Sequence, residues 1–378
     1  MITQPLVALD LGSTKVACAV GQPREQGPGF ELLGSSIVPY PTLSDAWLSD
    51  PLLVGRTIEQ ALEATAVTAD FHRALVAASH PALASEQVKT SIHLGDEPVT
   101  IREQDLNRMK LRALDQVLGV DREPLVVERL SCSGNGFEGV REPLGLTATR
   151  LSGVFHVVTM PIAARRAIVQ AVESSGLEVM QLTFSLQAAA ATLVNEQGRR
   201  GRVLLIDLGG LNTDVGLFVE NQFEDARTVR WGGLTCALHI AKTSQITLDQ
   251  ASTLSLEGLS SRKPGIRQLL KQQLEPLEHA IRELLLGRPL PDAILVTGRG
   301  ALIDGMVEWI EEVTQVKTSV ARSPRTQTMG ELSRQIGLTS ALGLLEMATE
   351  SGQETLLRSP RFVDRVIDRT RTILTEYF

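Results

Sequence analysis

Aromatic residues are scarce in this chain, making up 4% of its 378 residues. A core with so few aromatic rings must consist largely of Val, Leu, Ile and Ala, which favours α/β layers over an aromatic-rich β sandwich. The three cysteines, Cys18, Cys132 and Cys236, are far apart and odd in number, so they predict reduced thiols in a cytoplasm. The six histidines show no metal-ligand spacing, and the sequence therefore predicts no histidine-based metal site.

Long apolar runs and basic runs are also missing. No stretch approaches the roughly 20 apolar residues that span a bilayer, and residues 1–5 lack the basic start and apolar segment of a signal peptide. We therefore expect any membrane contact to be at the surface. The net charge is -7 without an aromatic-interleaved basic patch, so nucleic acid is a poor candidate partner. The length predicts two or three domains.

One pattern occurs twice along the chain. Leu6 to Leu11 is a short apolar run that includes Asp10 near its end, Lys15 to Val20 resumes it, and the turn composition Gly12-Ser13-Thr14 lies between them, which predicts a hairpin. Val203 to Glu220 repeats this strand, turn and second strand, so we expect two similar domains that face each other. The other periodicities predict strands at 73–78 and 293–297 and helices at 51–66, 103–118, 161–174, 186–194, 266–286 (interrupted at Pro276) and 341–347.

The stretch DLGSTK, which begins at Asp10, has the composition of a phosphate-binding loop. A glycine at position 12 lets the backbone approach a phosphate closely, and the N–H groups that follow form an anion-binding nest. Ser13 and Thr14 offer hydroxyl donors, and Lys15 supplies a positive charge. Asp10, at the strand end, is positioned to bind Mg²⁺ through water. The predicted nucleotide contacts here are Gly12, Ser13, Thr14 and Lys15.

Two further stretches complete the predicted nucleotide site. DLGGLNTD, which begins at Asp207, repeats the first loop, and Asp207 is predicted as the second water-mediated Mg²⁺ ligand. From Val296 to Ile303 a strand runs into a glycine turn before a helix, where a purine or ribose face can pack against bare backbone. One Asp-Leu-Gly hairpin is a common turn, whereas two of them followed by this third stretch predict a shared site. The predicted contacts are Gly209, Gly210, Asn212, Thr213, Gly298, Arg299 and Gly300.

This ordered set is similar to the phosphate-1, phosphate-2 and adenosine motifs of the actin/Hsp70/sugar-kinase superfamily. Within it the chain resembles FtsA, the bacterial cell-division actin homologue, along nearly its whole length. VALDLGSTKV at 7–16 is similar to the family's opening strand, 171–182 to the passage before its interdomain helix, and Leu274-Glu275-Pro276 to its Glu-Pro helix break. The resemblance implies an α/β, actin-like (ribonuclease H-like) two-domain ATPase fold with an inserted 1C-type (SHS2) subdomain, which binds ATP and Mg²⁺.

The resemblance also implies a division of the chain into subdomains. It places domain 1A at 1–82 and 154–202, with the inserted 1C/SHS2-like subdomain between them at 83–153. Domain 2A follows at 203–242 and resumes at 287–348, a range that also contains the closing helix of domain 1A, and a shortened subdomain 2B lies between the two parts at 243–286. The chain then continues with a linker at 349–360 and an amphipathic helix at 361–378.

Four positions depart from the family pattern. Leu211 and Asn212 stand where phosphate-2 usually has glycine and threonine, and we expect the Leu211 side chain to narrow the pocket near the γ-phosphate. Arg299 replaces a glycine and either stacks on the base or points to solvent, and Leu277 replaces an arginine.

Gln187 resembles the water-positioning glutamine of actin, although an ordinary residue of the interdomain helix would fit the sequence equally well. We expect slow hydrolysis, typical of a nucleotide-state switch.

Residues 361–378 have apolar positions that repeat every 11 residues, which predicts one apolar stripe along a nearly straight helix. Behind a polar linker, this segment resembles the membrane-targeting helix of FtsA, and docking on a protein groove is the alternative. Its basic and acidic side chains nearly cancel, so apolar insertion must dominate binding to lipid. The predicted membrane contacts are Phe362, Val363, Val366, Ile367, Ile373, Leu374, Tyr377 and Phe378.

The resemblance implies an adaptor that binds ATP, polymerises head to tail with itself and tethers FtsZ filaments to the inner face of the cytoplasmic membrane at the division site, beside other division proteins. The family binds the FtsZ C-terminal tail on 2B, where Arg262, Lys263, Arg267 and Lys271 could meet acidic groups; a solvated helix face explains them equally well.

Two alternative functions remain. One is a PilM-like cytoplasmic actin homologue of type IV pili or type II secretion, and the other is a small-molecule kinase, for which no separate acidic general base is found.

Overall fold

The computed structural model describes residues 4–25, 29–43, 47–195, 201–260 and 264–350. The strands are β1 (Leu6–Leu11), β2 (Lys15–Pro23), β3 (Phe30–Pro39), β4 (Arg73–Ala78), β5 (Ala84–His93), β6 (Val99–Thr100), β7 (Arg122–Gly134), β8 (Phe137–Val140), β9 (Thr147–Ala148), β10 (Arg150–Pro161), β11 (Glu178–Phe184), β12 (Arg202–Leu208), β13 (Thr213–Val219), β14 (Gln222–Val229), β15 (Ala293–Thr297) and β16 (Thr318–Val320). The helices are α1 (Pro51–Glu63), α2 (Glu103–Val117), α3 (Ile162–Ser174), α4 (Ser185–Ala190), α5 (Gly233–Ser244), α6 (Leu248–Leu256), α7 (Pro264–Gln273), α8 (Glu275–Leu285), α9 (Met306–Thr314), α10 (Leu332–Gly337) and α11 (Thr339–Glu350).

Two five-stranded sheets share one topology. The first has the order β11-β4-β1-β2-β3, and the second has the order β16-β15-β12-β13-β14. In each sheet an antiparallel meander of three strands is extended by two parallel strands. The prediction of two similar domains is therefore confirmed. We refer to the units built on these sheets as lobe 1 and lobe 2.

A four-stranded sheet with the order β5-β10-β7-β8 forms an insert between β4 and α3 of lobe 1. Helix α2 covers one face of this sheet, where Met109 and Phe155 are buried in a common cluster. Strand β10 runs on to Pro161, eight residues beyond the end predicted for the inserted subdomain, because it continues to pair with β7. The insert therefore shares its last strand with the approach to α3.

Helices α4 and α11 cross in the middle of the molecule with unusually small residues at the contact. Ala188 of α4 belongs to the same buried cluster as Leu342 and Leu345 of α11 and the alanines of β1 and β2. A Cβ at Gly343 would collide with the carbonyl oxygen of Ala188, so only glycine allows the two helices to approach this closely. The Ala-rich sequence of α4 thus determines how tightly it packs on α11.

Most element boundaries lie within three residues of those expected from the sequence; α1, for example, ends at Glu63 and not at residue 66. The helix predicted at 266–286 is interrupted at Pro276 as expected: α7 ends at Gln273, α8 begins at Glu275, and Pro276 is the second residue of α8. In the first turn of a helix the backbone N–H groups have no helical acceptor, so the missing N–H of proline costs no hydrogen bond there. The helix predicted at 186–194 begins at Ser185 and ends in a π turn over Ala191–Asn195. Helix α11 extends through Glu350, two residues into the predicted linker, and the predicted helix 361–378 lies outside the described residues. Within the described part of the chain, no helix is long and apolar enough to cross a membrane.

Candidate nucleotide-binding site

The two Asp-Leu-Gly hairpins face a single cavity of about 570 Å³ between lobe 1 and lobe 2. This volume is within the usual range for small-molecule sites, roughly 300–1,000 Å³. The predicted residues that line it are Asp10, Gly12, Ser13, Thr14, Lys15, Asp207, Gly209, Gly210, Asn212, Gly298, Arg299 and Gly300. The structure thus brings all three predicted stretches together.

The first hairpin loop is closed by its own backbone. The N–H of Gly12 donates to the carbonyl of Lys15 over 3.1 Å, and a side chain at Gly12 would meet that carbonyl at 3.3 Å. Lys15 forms a buried ion pair with Asp10, with 2.8 Å between Nζ and Oδ2. The hydroxyl of Ser185, at the start of α4, donates to the other carboxylate oxygen of Asp10 over 3.3 Å. The loop therefore brings Gly12, Ser13, Thr14 and one neutralised charge pair to the cavity.

The second hairpin loop touches the first. The N–H of Leu211 donates to the Ser13 hydroxyl over 3.0 Å. A Cβ at Gly210 would lie 2.5 Å from the methyl group of Thr14, so glycine is required for this approach. The lobes consequently meet at the floor of the cavity through their phosphate-type loops.

Two carboxylates on neighbouring strands of lobe 2 have raised pKa values. Asp207 and Asp214 are paired across β12 and β13. Burial, followed by repulsion from Asp214 and Asp10, raises the pKa of Asp207 to about 7. Burial raises the pKa of Asp214 to about 6, even though Thr228 donates a 2.7 Å hydrogen bond to it. Like charges placed opposite each other on paired strands repel and destabilise the pair. A cation bound between the two carboxylates would offset this repulsion, so the arrangement is suited to a cation.

The third stretch closes the cavity on the lobe 2 side. Gly298 has a φ of 79°, and a Cβ there would collide with Asp207. Gly300 is packed against Leu208, the residue that follows Asp207. Arg299 between them is exposed and lies at the cavity rim, where both of the predicted orientations remain open to it. The two glycines therefore keep this wall free of side chains.

Comparison with known proteins gives consistent matches at the level of sequence. Residues 81–159 match the family model described as the SHS2 domain inserted in FTSA. The cell division protein FtsA of Pseudomonas aeruginosa is 24% identical over 375 residues, covering 90% of this chain and 88% of that protein. FtsA of Streptococcus pneumoniae is 22% identical, covering 96% of this chain and 86% of that protein. Along about nine tenths of its length, the chain is therefore similar in sequence to FtsA proteins.

Solved structures show the same fold at lower identity. The PilM–PilN type IV pilus biogenesis complex matches with a TM-score of 0.68 and 16% identity, covering 91% of this chain and 98% of that one. MreB5 of Spiroplasma citri bound to ADP matches with a TM-score of 0.53 and 13% identity, covering 95% of this chain and 100% of that one. The FtsA-like chain thus has the predicted actin-like, ribonuclease H-like two-domain fold with an SHS2 insert.

Three predicted roles in the FtsA-like site need correction. The Leu211 side chain does not line the cavity but is buried in the lobe 1 core beside Leu234, so the expected narrowing of the pocket is wrong. The Thr213 hydroxyl also turns away, donating to the carbonyl of Trp231 over 2.9 Å. Gln187 lies outside the cavity lining and accepts a 2.9 Å hydrogen bond from Thr183, so it is not placed to orient a water there.

Several cavity residues were missed by the sequence analysis. Asp214 is the most important, and its signal was available: it is the strand position directly opposite Asp207 once the hairpin register is known. Ser79 and Ser185 enter from the ends of β4 and β11, and Tyr40 enters from the end of β3. Carboxyl ends of parallel strands meet at one sheet edge, so these positions were open to prediction from topology.

A second cavity, of about 680 Å³, lies among α7, α8 and α9. The predicted partner-binding residues Arg267 and Lys271 line it together with Arg282 and Trp309. The acidic side chains in its wall are Glu275, Glu278 and Glu312. The other two predicted partner-binding residues, Arg262 and Lys263, lie outside the described residues, as do the eight predicted membrane contacts from Phe362 to Phe378.

Proposed function

We propose that this FtsA-like chain binds ATP in the cavity between its lobes and uses the bound nucleotide as a conformational switch. One observation carries the proposal: the two hairpin loops and the glycine turn, which are far apart in the sequence, line the same cavity. The N–H groups of the loops and the charge of Lys15 suit a triphosphate, and the bare backbone at Gly298 and Gly300 suits an adenosine. The similarity to MreB5, solved with ADP, supports this through its fold alone.

Mg²⁺ fits the carboxylates of this cavity. Burial raises the pKa values of both Asp207 and Asp214, and repulsion from neighbouring carboxylates adds to it, from Asp214 and Asp10 at Asp207 and from Asp10 at Asp214. A divalent cation would relieve this repulsion. Among the described residues no three acidic, histidine or cysteine side chains are grouped as a full metal cage. Mg²⁺ needs only one or two carboxylates because it keeps several waters. In the proposed complex it would neutralise phosphate charge, held by Asp207 and, through water, Asp10.

Calorimetric titration of the purified full chain tests nucleotide binding. We expect ATP to bind with Mg²⁺ present, and more weakly with EDTA. Gly210→Val is expected to abolish binding, since any side chain there collides with the first loop. Gly265→Val, at an exposed position of α7 where the φ is not positive and a Cβ meets nothing within 4 Å, is the matched control for folding and should bind ATP normally. No heat with any adenine or guanine nucleotide would reject the proposal.

We propose further that the α7–α8–α9 cavity accepts the acidic C-terminal tail of FtsZ. Arg267 and Lys271 line this cavity with exposed positive charges, and the half-buried Trp309 adds an aromatic surface to it. Aromatic and arginine side chains that a partner buries are typical of strong binding positions. Reversing the charge at Arg267 and Lys271 should weaken binding of an FtsZ tail peptide at least tenfold. The same charge change at Lys89 and Arg112 in the insert is the control, and equal effects of the two double variants would contradict this site.

The membrane tether and self-assembly belong to the same proposal. We propose that residues 361–378 insert their apolar stripe into the membrane surface and that head-to-tail assembly multiplies this weak attachment. Deleting 361–378 should leave ATP binding intact and abolish co-sedimentation with anionic vesicles. Unchanged sedimentation with lipid would reject the tether.

A role in type IV pilus assembly is the alternative function. Its specific support is the fold match to the PilM–PilN complex, which covers 98% of the matched chain. Below 20% identity that match concerns the fold only, whereas the similarity to FtsA is found in sequence. A pull-down that recovers a pilus-assembly peptide and not the FtsZ tail would reverse the order of the two proposals.

A further inference from the structure

Tyr40 has a buried hydroxyl that no other group satisfies. The residue is 6% exposed, and its hydroxyl has no hydrogen-bond partner among the described residues. Buried side-chain polar atoms are nearly always paired, and an unpaired one lowers the stability of the folded protein. Tyr40 also lines the cavity between the lobes. An unsatisfied donor at the wall of a ligand cavity suggests a partner that arrives with the ligand.

The backbone around Tyr40 holds it against the first hairpin loop. Its N–H donates to the carbonyl of Thr14 over 3.1 Å. Prolines at 39 and 41 flank it, and the residue before a proline is confined to extended conformations. Its ring stacks on Trp47 with 6.2 Å between centroids. Tyr40 is therefore fixed beside the loop proposed to hold phosphate, with little conformational freedom to lose on binding.

The charges near the hydroxyl indicate which group it can meet. Burial, followed by the negative charge of Asp10, raises the pKa of the Tyr40 phenol, so the hydroxyl keeps its proton. The Asp10 carboxylate already accepts from Lys15 and Ser185. A protonated phenol offers one donor, and phosphate oxygens are strong acceptors for it.

We propose that the Tyr40 hydroxyl donates a hydrogen bond to the phosphate tail of the bound nucleotide. This inference rests on the proposed function, because it requires a nucleotide in the cavity. It goes beyond the three motif stretches, since Tyr40 belongs to none of them. The phenol would act as a neutral hydrogen-bond donor beside Lys15. Its hydrogen bond to a phosphate oxygen would be directional, whereas the charge of the Lys15 ammonium acts in all directions.

Tyr40→Phe separates this role from a structural one. The ring and its packing on Trp47 are kept while the hydroxyl is removed. If the hydroxyl has no partner in the free protein, the unfolding temperature without nucleotide should stay the same or rise. The dissociation constant for ATP with Mg²⁺ should increase about tenfold, as expected for a lost hydrogen bond to a charged group. The thermal shift produced by millimolar adenosine, which has no phosphate, should not change.

Thr314→Val is the matched control. The Thr314 hydroxyl is buried and donates to the carbonyl of Ile310 in α9, away from the cavity. Its loss should lower the unfolding temperature and leave ATP binding unchanged, the reverse of the result expected at Tyr40.

The outcomes distinguish the two proposals. If the wild-type chain binds no nucleotide, the proposed function itself fails. If the wild-type chain binds ATP and Tyr40→Phe binds it equally well, only the Tyr40 inference is overturned. The same holds if Tyr40→Phe weakens ATP and adenosine alike, or if it lowers the unfolding temperature of the free protein.

Discussion

Asp207 lies across the hairpin from Asp214 and close to Asp10, an arrangement that costs folding energy. The pKa of Asp207 is raised from 3.8 to about 7, so the folded chain binds its proton more tightly than the unfolded chain does. Below about pH 4 both states are protonated and the carboxylate carries no penalty. The penalty grows as the pH rises toward 7 and is complete above it. Residues of this kind indicate a site maintained for a ligand at the expense of stability.

Asp207→Asn removes that penalty without changing the shape of the side chain. In the absence of nucleotide we expect the variant to be more stable than the wild type at pH 8, on the order of a few kcal/mol in the free energy of unfolding. At pH 5 the gain should fall to less than half, because the wild-type carboxyl is then mostly protonated. Urea unfolding at the two pH values measures this. Mg²⁺ should no longer strengthen ATP binding to the variant.

A gain that is equal at pH 5 and pH 8 would contradict this explanation, since it could not come from titration of Asp207. Ser340→Ala, which also alters the cavity lining but changes no charge, is the control. Its effect on the free energy of unfolding should be the same at both pH values.

At the residue scale the sequence predicted which loops form the site better than where each side chain points. Glycines and aspartates of the motifs line the cavity because hairpin geometry fixes them locally. Leu211 and Thr213 do not, because the direction of their side chains depends on contacts outside the loop: Leu211 packs into the lobe 1 core, and the Thr213 hydroxyl donates to the carbonyl of Trp231 in its own lobe. Tertiary contacts of this kind leave no local pattern in the sequence.

At the scale of elements, the crossing of α4 and α11 links the lobe 1 sheet to the helices behind the cavity. The two helices approach so closely at Gly343 that a methyl group there would collide with the backbone of Ala188. Alanine is a better helix former than glycine by roughly 1 kcal/mol, so helix propensity and packing oppose each other at this position. Packing should dominate, because neither backbone can move without shifting a strand beneath it.

Gly343→Ala is therefore expected to destabilise the chain by about 2–4 kcal/mol, within the range for overpacked cores and collisions. Gly265→Ala makes the same chemical change in α7, where a Cβ would meet nothing within 4 Å, and should be neutral or stabilising by up to about 1 kcal/mol. Denaturant unfolding of both variants measures the difference. Equal stabilities of the two variants would show that the helices do not cross as closely as described.

Elements with strong periodicity were predicted well, and those with mixed signals were not. β4 and β15 have the bounds expected from their apolar runs. The interruption predicted at Pro276 is present as the break between α7 and α8, because a proline inside a periodic pattern removes a helical hydrogen bond. The length of β10 could not be predicted from the sequence, because it depends on how far β10 pairs with β7, and that pairing depends on the fold of the whole insert.

At the scale of the whole molecule, one buried cluster joins lobe 1, lobe 2 and the insert. It contains Phe184 from β11, Phe223 from β14 and Val158 from β10. The ring of Phe223 contacts the fully buried His156 of the insert edge to face, with centroids 4.5 Å apart. His156 in turn donates from Nδ1 to the carbonyl of Phe223 over 3.1 Å. The insert is thus attached to lobe 2 as well as to lobe 1, from which it emerges.

A cluster shared in this way should make the three units unfold together. For the wild-type chain we expect a single calorimetric transition whose measured enthalpy agrees with the van't Hoff value, although chains of this length often depart from two-state behaviour. Phe223→Ala should cost about 3–5 kcal/mol, the usual range for a buried phenylalanine. It should also separate the transition, because the insert and lobe 2 lose their common ring cluster.

Phe137→Ala, at the tip of the insert sheet and only partly buried, gives the matched comparison. It should lower the unfolding temperature less and keep a single transition, since Phe137 packs within the insert alone. Separate transitions in the wild type would mean that the shared cluster does not couple the units. In that case a change of nucleotide in the cavity could move lobe 2 without the insert, whereas the coupled arrangement requires the insert to follow lobe 2.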